Sequence, residues 1–284
     1  MGHHYVPQHY LRGFEAAEEP GTIWAYDKVL HRFTRVPIKT IAQEAEFYDE
    51  QVERELSERL EGPAQKCLSQ MRRRELLSPD ERLLVAAYIA TMMMRVPKQR
   101  AKALKIVPSA LKSTIDAARN TIHGWASSDD TDQALVARRL AEVDRLESVW
   151  IQSPPPDVVN RIRSPWPTEK IVALVDSMVW RIVRATEDEC FLTSDNPVCI
   201  FEAYGIGKPE SEIAFPLAPD AALLASWRGP RRGLIEVPRW PAAIREVNRR
   251  VVAGSDRFVF FHKNAQWVAT LAEKQYLFLS RIQW

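Results

Sequence analysis

Residues 78–97, SPDERLLVAAYIATMMMRVP, predict a buried helix about one third of the way along the sequence. Ser78 is a preferred N-cap residue, Pro79 suits the first helical position, and two acidic residues then complement the helix dipole. The apolar residues that follow cover most of the helix surface, which predicts burial on several sides. Val96-Pro97 should end or kink the helix, because the residue before a proline disfavours the helical conformation.

The helical pattern extends from this segment in both directions. Upstream, from about Asp49, Val52, Leu56 and Leu60 recur at helical spacing. Downstream, the same spacing predicts helices over about 98–122, 132–150 and 168–184, separated by polar or proline-rich segments. The helical region therefore spans residues 49–185.

Strand patterns lie at both ends of the chain. Thr22–Asp27 and His31–Val36 are rich in β-branched and aromatic residues and predict a hairpin. Short apolar runs predict further strands at 189–192, 198–201, 213–216, 222–227 and 257–261. We predict a single α+β domain over 1–284, with an N-terminal hairpin (1–48), the helical region and a strand-rich part (186–284). The simplest packing is one mixed or antiparallel sheet formed by strands from both ends, with the helices on one face.

Composition excludes several classes of protein. The 39 basic and 37 acidic side chains give a net charge of +2, too small to attract nucleic acid or an anionic membrane globally. Cys67, Cys190 and Cys199 are interpreted as buried free thiols. With no apolar run long enough for a membrane span and no signal peptide, we expect a cytoplasmic protein without a membrane partner. Dinucleotide-binding, P-loop, HExxH and GxSxG motifs are absent from the sequence.

A first polar cluster lies at the N-terminus and contains His3, His4, Gln8, His9 and Arg12. If the chain is helical from Pro7, Gln8 and Arg12 lie on one face. Histidine can act as a metal ligand or as a general base near neutral pH. The alternative is that His3 and His4 belong to a frayed terminus or an affinity tag.

A second polar cluster, Thr-Ser-Asp-Asn-Pro at 193–197, separates two apolar runs. These residues favour a tight turn, but Asp195 and Asn196 could also present a carboxylate and an amide to a ligand. Glu53 and Glu61 differ by eight residues and share a helix face. Arg95, at the end of the buried helix, needs a partner, and Glu61 and Asp195 are the candidates for a salt bridge.

Several blocks together resemble an uncharacterised, mainly bacterial family, the domain of unknown function family 4238. The blocks are HHYVPQHYLRGF (3–14), IWAYDK (23–28), RVP (95–97), TSDNP (193–197) and FPLAPD (215–220). His9 departs from the pattern, because family members more often have phenylalanine there. The resemblance implies a single domain and implies no activity.

The opening His3-His4-Tyr5-Val6-Pro7 also resembles the core of HNH endonucleases, in which one histidine activates water and other groups hold a metal. No asparagine and histidine follow at the spacing that an HNH site requires. The resemblance therefore implies only a similar division of roles, assembled from distant segments.

The first functional hypothesis is a metal-dependent hydrolase, most specifically a phosphodiesterase or nuclease acting on nucleic acid or a nucleotide. His4 or His3 would be general base or ligand, and Asp195 a metal-binding carboxylate. Gln8 and Asn196 would position the substrate, and Arg12 or Arg95 would stabilise phosphate charge. Oxygen ligands favour Mg²⁺ or Mn²⁺.

The second hypothesis is a non-catalytic, regulatory or defence-associated interaction protein. In that protein the His/Gln/Arg cluster is a structural polar network that fixes the N-terminus to the turn at 194–197. Both hypotheses predict that the start of the chain folds against this turn.

Overall fold

The structure, a computed structural model, describes residues 2–45, 50–126, 132–155, 164–186, 188–201, 205–229, 234–237, 240–274 and 279–282. The chain divides into two compact units. The first comprises Met1–Pro97 with Pro165–Trp284, and the second comprises Lys98–Ser164. Whether the chain behaves as the single domain predicted above stays a prediction.

The N-terminal part of the first unit contains the predicted hairpin. Its elements are β1 (Gly2–His4), α1 (Gln8–Leu11), a 3₁₀ turn (Arg12–Phe14), β2 (Thr22–Asp27), β3 (Arg32–Pro37), a second 3₁₀ turn (Ile38–Thr40) and β4 (Gln43–Ala45). Strands β2 and β3 pair antiparallel over their whole length, and β1 pairs antiparallel with β4. The pairing with β4 holds the first described residues of the chain against Gln43–Ala45.

Three helices follow in the first unit: α2 (Glu50–Leu56), α3 (Gly62–Arg72) and α4 (Pro79–Met94). A π-helical turn, Ser57–Glu61, joins α2 to α3. Helix α4 begins as predicted, because Ser78 accepts from the Glu81 amide while the Glu81 side chain accepts from the Ser78 amide. Arg95 is its C-cap residue, so Val96-Pro97 ends the helix as expected.

The described part of the second unit consists mainly of two long helices, α5 (Pro97–Trp125) and α6 (Gln133–Trp150). Asp132 caps α6 by accepting from the amides of Ala134 and Leu135. Arg119 on α5 donates to Asp144 (2.8 Å) and Glu147 (2.5 Å) on α6. These ion pairs join the two helices to each other.

The rest of the first unit is strand-rich. Its elements are α7 (Glu169–Ser177), β5 (Val179–Arg184), β6 (Thr193–Ser194), β7 (Cys199–Phe201), β8 (Glu212–Ala218), β9 (Ala221–Ser226), β10 (Leu234–Val237), α8 (Pro241–Gly254), β11 (Phe258–Phe261) and α9 (Trp267–Ala272). A mixed five-stranded sheet has the order β10-β5-β9-β8-β7, in which β10 and β5 are parallel. An antiparallel four-stranded sheet has the order β3-β2-β11-β6 and combines strands from both ends of the chain.

The predicted α+β class is confirmed, and two details of the prediction are corrected. Among the described residues the strands form three sheets, counting the β1–β4 pair, where one was expected. Helices also cover both faces of the five-stranded sheet. Phe215 of β8 packs in a cluster with Tyr88 of α4, whereas its neighbour Ala214 packs with Val247 of α8. Because successive strand residues point to opposite faces, both faces are buried.

The described helices include none that is long and apolar enough to cross a membrane.

Cys67, Cys190 and Cys199 are buried free thiols, as predicted.

Candidate functional site

A polar cavity of about 360 Å³, the N-terminal hollow, lies between the start of the chain and the α2–α3 segment. The described lining residues are His4, Pro7, Gln8, His9 and Arg12 on one side and Glu53, Ser57, Glu61 and Gln65 on the other. The second set follows at four-residue steps, which places these side chains on one face of the α2–α3 segment. The hollow thus combines two imidazoles, two carboxylates, two amides and a guanidinium.

Burial of apolar side chains holds the N-terminal segment in place. Val6, Tyr10 and Leu11 are buried completely. The Tyr10 hydroxyl lies 2.7 Å from the Thr193 hydroxyl and donates to the carbonyl of Pro216 at 2.8 Å. The chain start therefore meets strand β6 at Thr193, one residue before the turn at 194–197 that both hypotheses named. The contact is made by Tyr10 and not by the predicted His/Gln/Arg cluster, and the polar residues of α1 remain on the side of the hollow.

His4 carries the first group in the hollow without a partner. Its Nε2 atom is buried, and none of the described residues forms a hydrogen bond with it. Burial lowers the pKa of the imidazole, and a hydrogen bond to the backbone of Lys39 opposes this shift only in part. His4 is therefore neutral at pH 7, with a ring nitrogen that can accept a proton or bind a metal.

Glu53, on the opposite wall, carries the second such group. Its Oε2 atom is buried and forms no hydrogen bond with any described residue. Burial raises the pKa of the carboxyl group, and the charge of Arg95 counters this effect. A buried carboxylate oxygen without a donor is costly, so it is a position where a ligand, a cation or water would stabilise the protein.

Arg95 lies behind the wall of the hollow and supports it. Its side chain is 1% exposed, and its guanidinium forms an ion pair with Glu61 and donates to the backbone carbonyl of His4. The salt bridge with Glu61, one of the two candidates from the sequence, is confirmed. Arg95 was also predicted to bind substrate, but the structure uses its guanidinium to fix His4 and Glu61.

His9 completes the wall. Its Nδ1 lies 3.9 Å from Oε2 of Glu61, and its Nε2 lies 3.1 Å from the Tyr88 hydroxyl. Burial lowers the pKa of His9 to about 4, so the imidazole is neutral at pH 7 and the contact with Glu61 is not an ion pair at that pH.

Asp195 and Asn196 do not line the hollow. Asp195 accepts from the backbone amides of Asp256 (2.8 Å), Arg257 (2.6 Å) and Phe258 (2.7 Å), which uses both carboxylate oxygens. The Asn196 amide donates to the carbonyl of Gly254 at 3.0 Å. Asp195 thus fixes the segment that leads into β11, and Asn196 binds the last residue of α8. These are structural roles of the kind that the sequence left open beside ligand binding.

His3 is buried in β1, where it lies opposite Glu44 of β4, and it is not part of the lining. Of the predicted site residues, the hollow brings together His4, Gln8 and Arg12. Sequence reasoning missed Glu53 as a site residue. Its spacing from Glu61 was recognised, but nothing in the spacing showed that this helix face meets the N-terminus.

Among the described residues, no group of three or more His, Cys, Asp or Glu side chains is arranged to hold a metal ion. Any cation in the hollow would therefore need further ligands from water or substrate.

Comparisons with known proteins identify the family of the chain but give no relative with an assigned role. No curated protein and no solved structure matches the chain. A family described as "Protein of unknown function (DUF4238)" matches residues 2–265, which is most of the sequence and includes every residue of the hollow. The chain belongs to the DUF4238 family, as its sequence blocks predicted.

Proposed function

We propose that this protein is a metal-dependent hydrolase of phosphodiesters, with nucleic acid or a nucleotide as substrate and the N-terminal hollow as active site. The observation that carries the proposal is the buried Nε2 of a neutral His4, which has no hydrogen-bond partner among the residues that the structure describes. A neutral imidazole in a cavity can remove a proton from an attacking water, a step worth about 10²–10⁴ in rate.

The cation in this proposal binds together with the substrate. Mg²⁺ keeps several waters and is commonly held by one or two carboxylates plus substrate phosphate, and this requires no three-residue protein site. Glu53, whose Oε2 has no partner in the described part of the chain, is the carboxylate that this proposal uses for Mg²⁺ or Mn²⁺. It takes the place of Asp195, whose oxygens already accept three backbone amides.

Arg12 and Gln8 bind the substrate in this proposal. Both line the hollow, and a guanidinium is well suited to a phosphate group because it can donate two parallel hydrogen bonds. His9, Glu61 and Arg95 act indirectly. Their contacts hold the backbone at His4 and the wall that contains Glu53.

The second candidate is the non-catalytic regulatory or defence-associated interaction protein. Two observations favour it: Arg95 binds the His4 carbonyl, and Tyr10 binds Thr193. In this interpretation the polar N-terminal residues only fix the chain start to the rest of the first unit.

The two candidates differ in the effects of His4→Gln and Glu53→Gln. Hydrolysis of bis(p-nitrophenyl) phosphate is measured with added Mn²⁺ or Mg²⁺. The control variant is Glu210→Gln, at an exposed position. For a hydrolase, each site variant should lower kcat about 100-fold or more while the free energy of unfolding changes by less than about 1 kcal/mol. Loss of stability by a few kcal/mol in the site variants, without any wild-type activity, would favour the structural network. Wild-type activity that needs no added metal ion would contradict the metal dependence of the first candidate.

A further inference from the structure

A second cavity, the basic groove, lies in the strand-rich part of the first unit. It has a volume of about 800 Å³ and is bounded by α8, α9 and the segment at 188–190. Its floor is buried and includes Cys190, Ile244 and Asn248, and the side chains at its edge are mostly exposed. None of its described lining residues lines the N-terminal hollow, so it is a separate site.

The edge of the groove is positively charged. Its basic side chains are Arg245, Arg249, Lys263 and Lys274, and its acidic side chains are Asp188 and Glu189. Arg249 forms an ion pair with the buried Glu246 at 3.5 Å, so Arg245, Lys263 and Lys274 carry the positive excess. The whole chain has a formal charge of only +2, so the excess at this groove is a local feature. A concave site with this charge attracts anions.

Trp267 gives the same groove an aromatic surface. Its side chain is 43% exposed, although the next residue of α9, Val268, is buried completely. An exposed indole can stack on a planar ring, and stacking between a base and an aromatic side chain does not depend on the identity of the base. The groove therefore offers a ring-binding surface beside basic groups.

We propose that the basic groove binds a nucleotide, with the base stacked on Trp267 and the phosphates held by Arg245 and Lys274. The volume falls within the range of small-molecule sites, about 300–1,000 Å³. The apolar floor at Ile244 adds contact area for a ribose or base. This site does not depend on the hydrolase proposal, because it requires neither His4 nor a metal ion.

Titration calorimetry with ADP, adenosine and pyrophosphate tests the proposal on the full chain. EDTA is present throughout, so that no cation can bring a phosphate into the N-terminal hollow. Wild type should bind ADP more tightly than adenosine or pyrophosphate. Trp267→Ala should weaken ADP and adenosine binding about tenfold or more and leave pyrophosphate binding unchanged.

The double variant Arg245→Gln, Lys274→Gln should show the opposite pattern, with weaker binding of ADP and pyrophosphate and unchanged binding of adenosine. Matched controls are Trp125→Ala and Arg138→Gln, two exposed residues of the second unit that should leave all three affinities unchanged. Absence of ADP binding to wild type overturns the proposal. Equal affinity of wild type and both groove variants for ADP overturns it as well. Circular dichroism verifies that each variant is folded.

Discussion

At the residue scale, His4 and Asp195 differ in whether the protein satisfies their polar atoms. Nε2 of His4 has no described partner, whereas both oxygens of Asp195 accept backbone amides. Sequence alone could not separate the two cases, since both residues lie in polar segments. A carboxylate in a turn indicates hydrogen bonding without showing whether its donors are backbone amides or a ligand.

For Asp195 we predict a structural role. Asp195→Asn replaces one acceptor oxygen by an NH₂ group that faces a backbone donor, so the free energy of unfolding should fall by roughly 3 kcal/mol. Urea unfolding measures the change, and Glu210→Gln is the matched control for an exposed acid. A loss below about 0.5 kcal/mol for Asp195→Asn would contradict the role.

For His9 we predict a pH-dependent contribution to stability. Burial lowers the pKa of His9 to about 4, below the usual value of about 6.5. Between these pH values the unfolded chain binds a proton that the folded chain does not, so stability falls by up to roughly 3 kcal/mol as the pH is lowered through this window. His9→Phe removes the titrating group and should flatten this part of the profile.

Urea unfolding at pH 4 and pH 7 gives the change in the free energy of unfolding with pH for wild type and for His9→Phe. Loss of the Tyr88 hydrogen bond lowers the stability of His9→Phe equally at both pH values, so it does not affect this comparison. Identical slopes for the two proteins would show that His9 is not buried as described.

At the element scale, the 3₁₀ turn Arg12–Phe14 requires glycine at position 13. A Cβ atom there would contact the Arg72 guanidinium and lie 2.9 Å from the carbonyl of Leu217. That carbonyl already accepts from Nε of Arg72 at 2.8 Å, so neither group can move freely. The close approach explains why the block at 3–14 contains glycine between arginine and phenylalanine.

Gly13→Ala should therefore lower the free energy of unfolding by about 1–3 kcal/mol, as overpacking does. Gly124→Ala is the matched control, because a Cβ atom at this position in α5 would have no neighbour within 4 Å. There, removal of a helical glycine should raise stability by up to about 1 kcal/mol. Urea unfolding of both variants checks the prediction, and effects of the same sign would contradict it.

Elements with strong boundary signals were predictable from the sequence, and elements without them were not. Helix α4 begins and ends as expected, since Ser78 and Pro97 act through local geometry. The segment after Ser177 was predicted to stay helical to about residue 184, but β5 begins at Val179. Strand β5 is buried on both faces, so its apolar residues lack the alternation that marks a half-buried strand.

At the scale of the whole molecule, the fold class followed from strand patterns at both ends of a helical middle. The division into three sheets did not, because pairing depends on long-range contacts that strand patterns do not encode. Strand β11, for example, lies between β2 and β6, although about 230 residues separate it from β2. The N-terminal hollow depends on the same kind of contact, since it forms only where β1, α1 and the α2–α3 segment meet.

The central claim, that the hollow is a cation-assisted active site, is tested most directly by an anomalous difference map from crystals soaked in Mn²⁺ and inorganic phosphate. The claim predicts a manganese peak within about 2.5 Å of a Glu53 carboxylate oxygen, with phosphate beside Arg12. The same soak of Glu53→Gln crystals should lack the peak. A wild-type map with manganese bound elsewhere, or with no peak in the hollow, would contradict the claim.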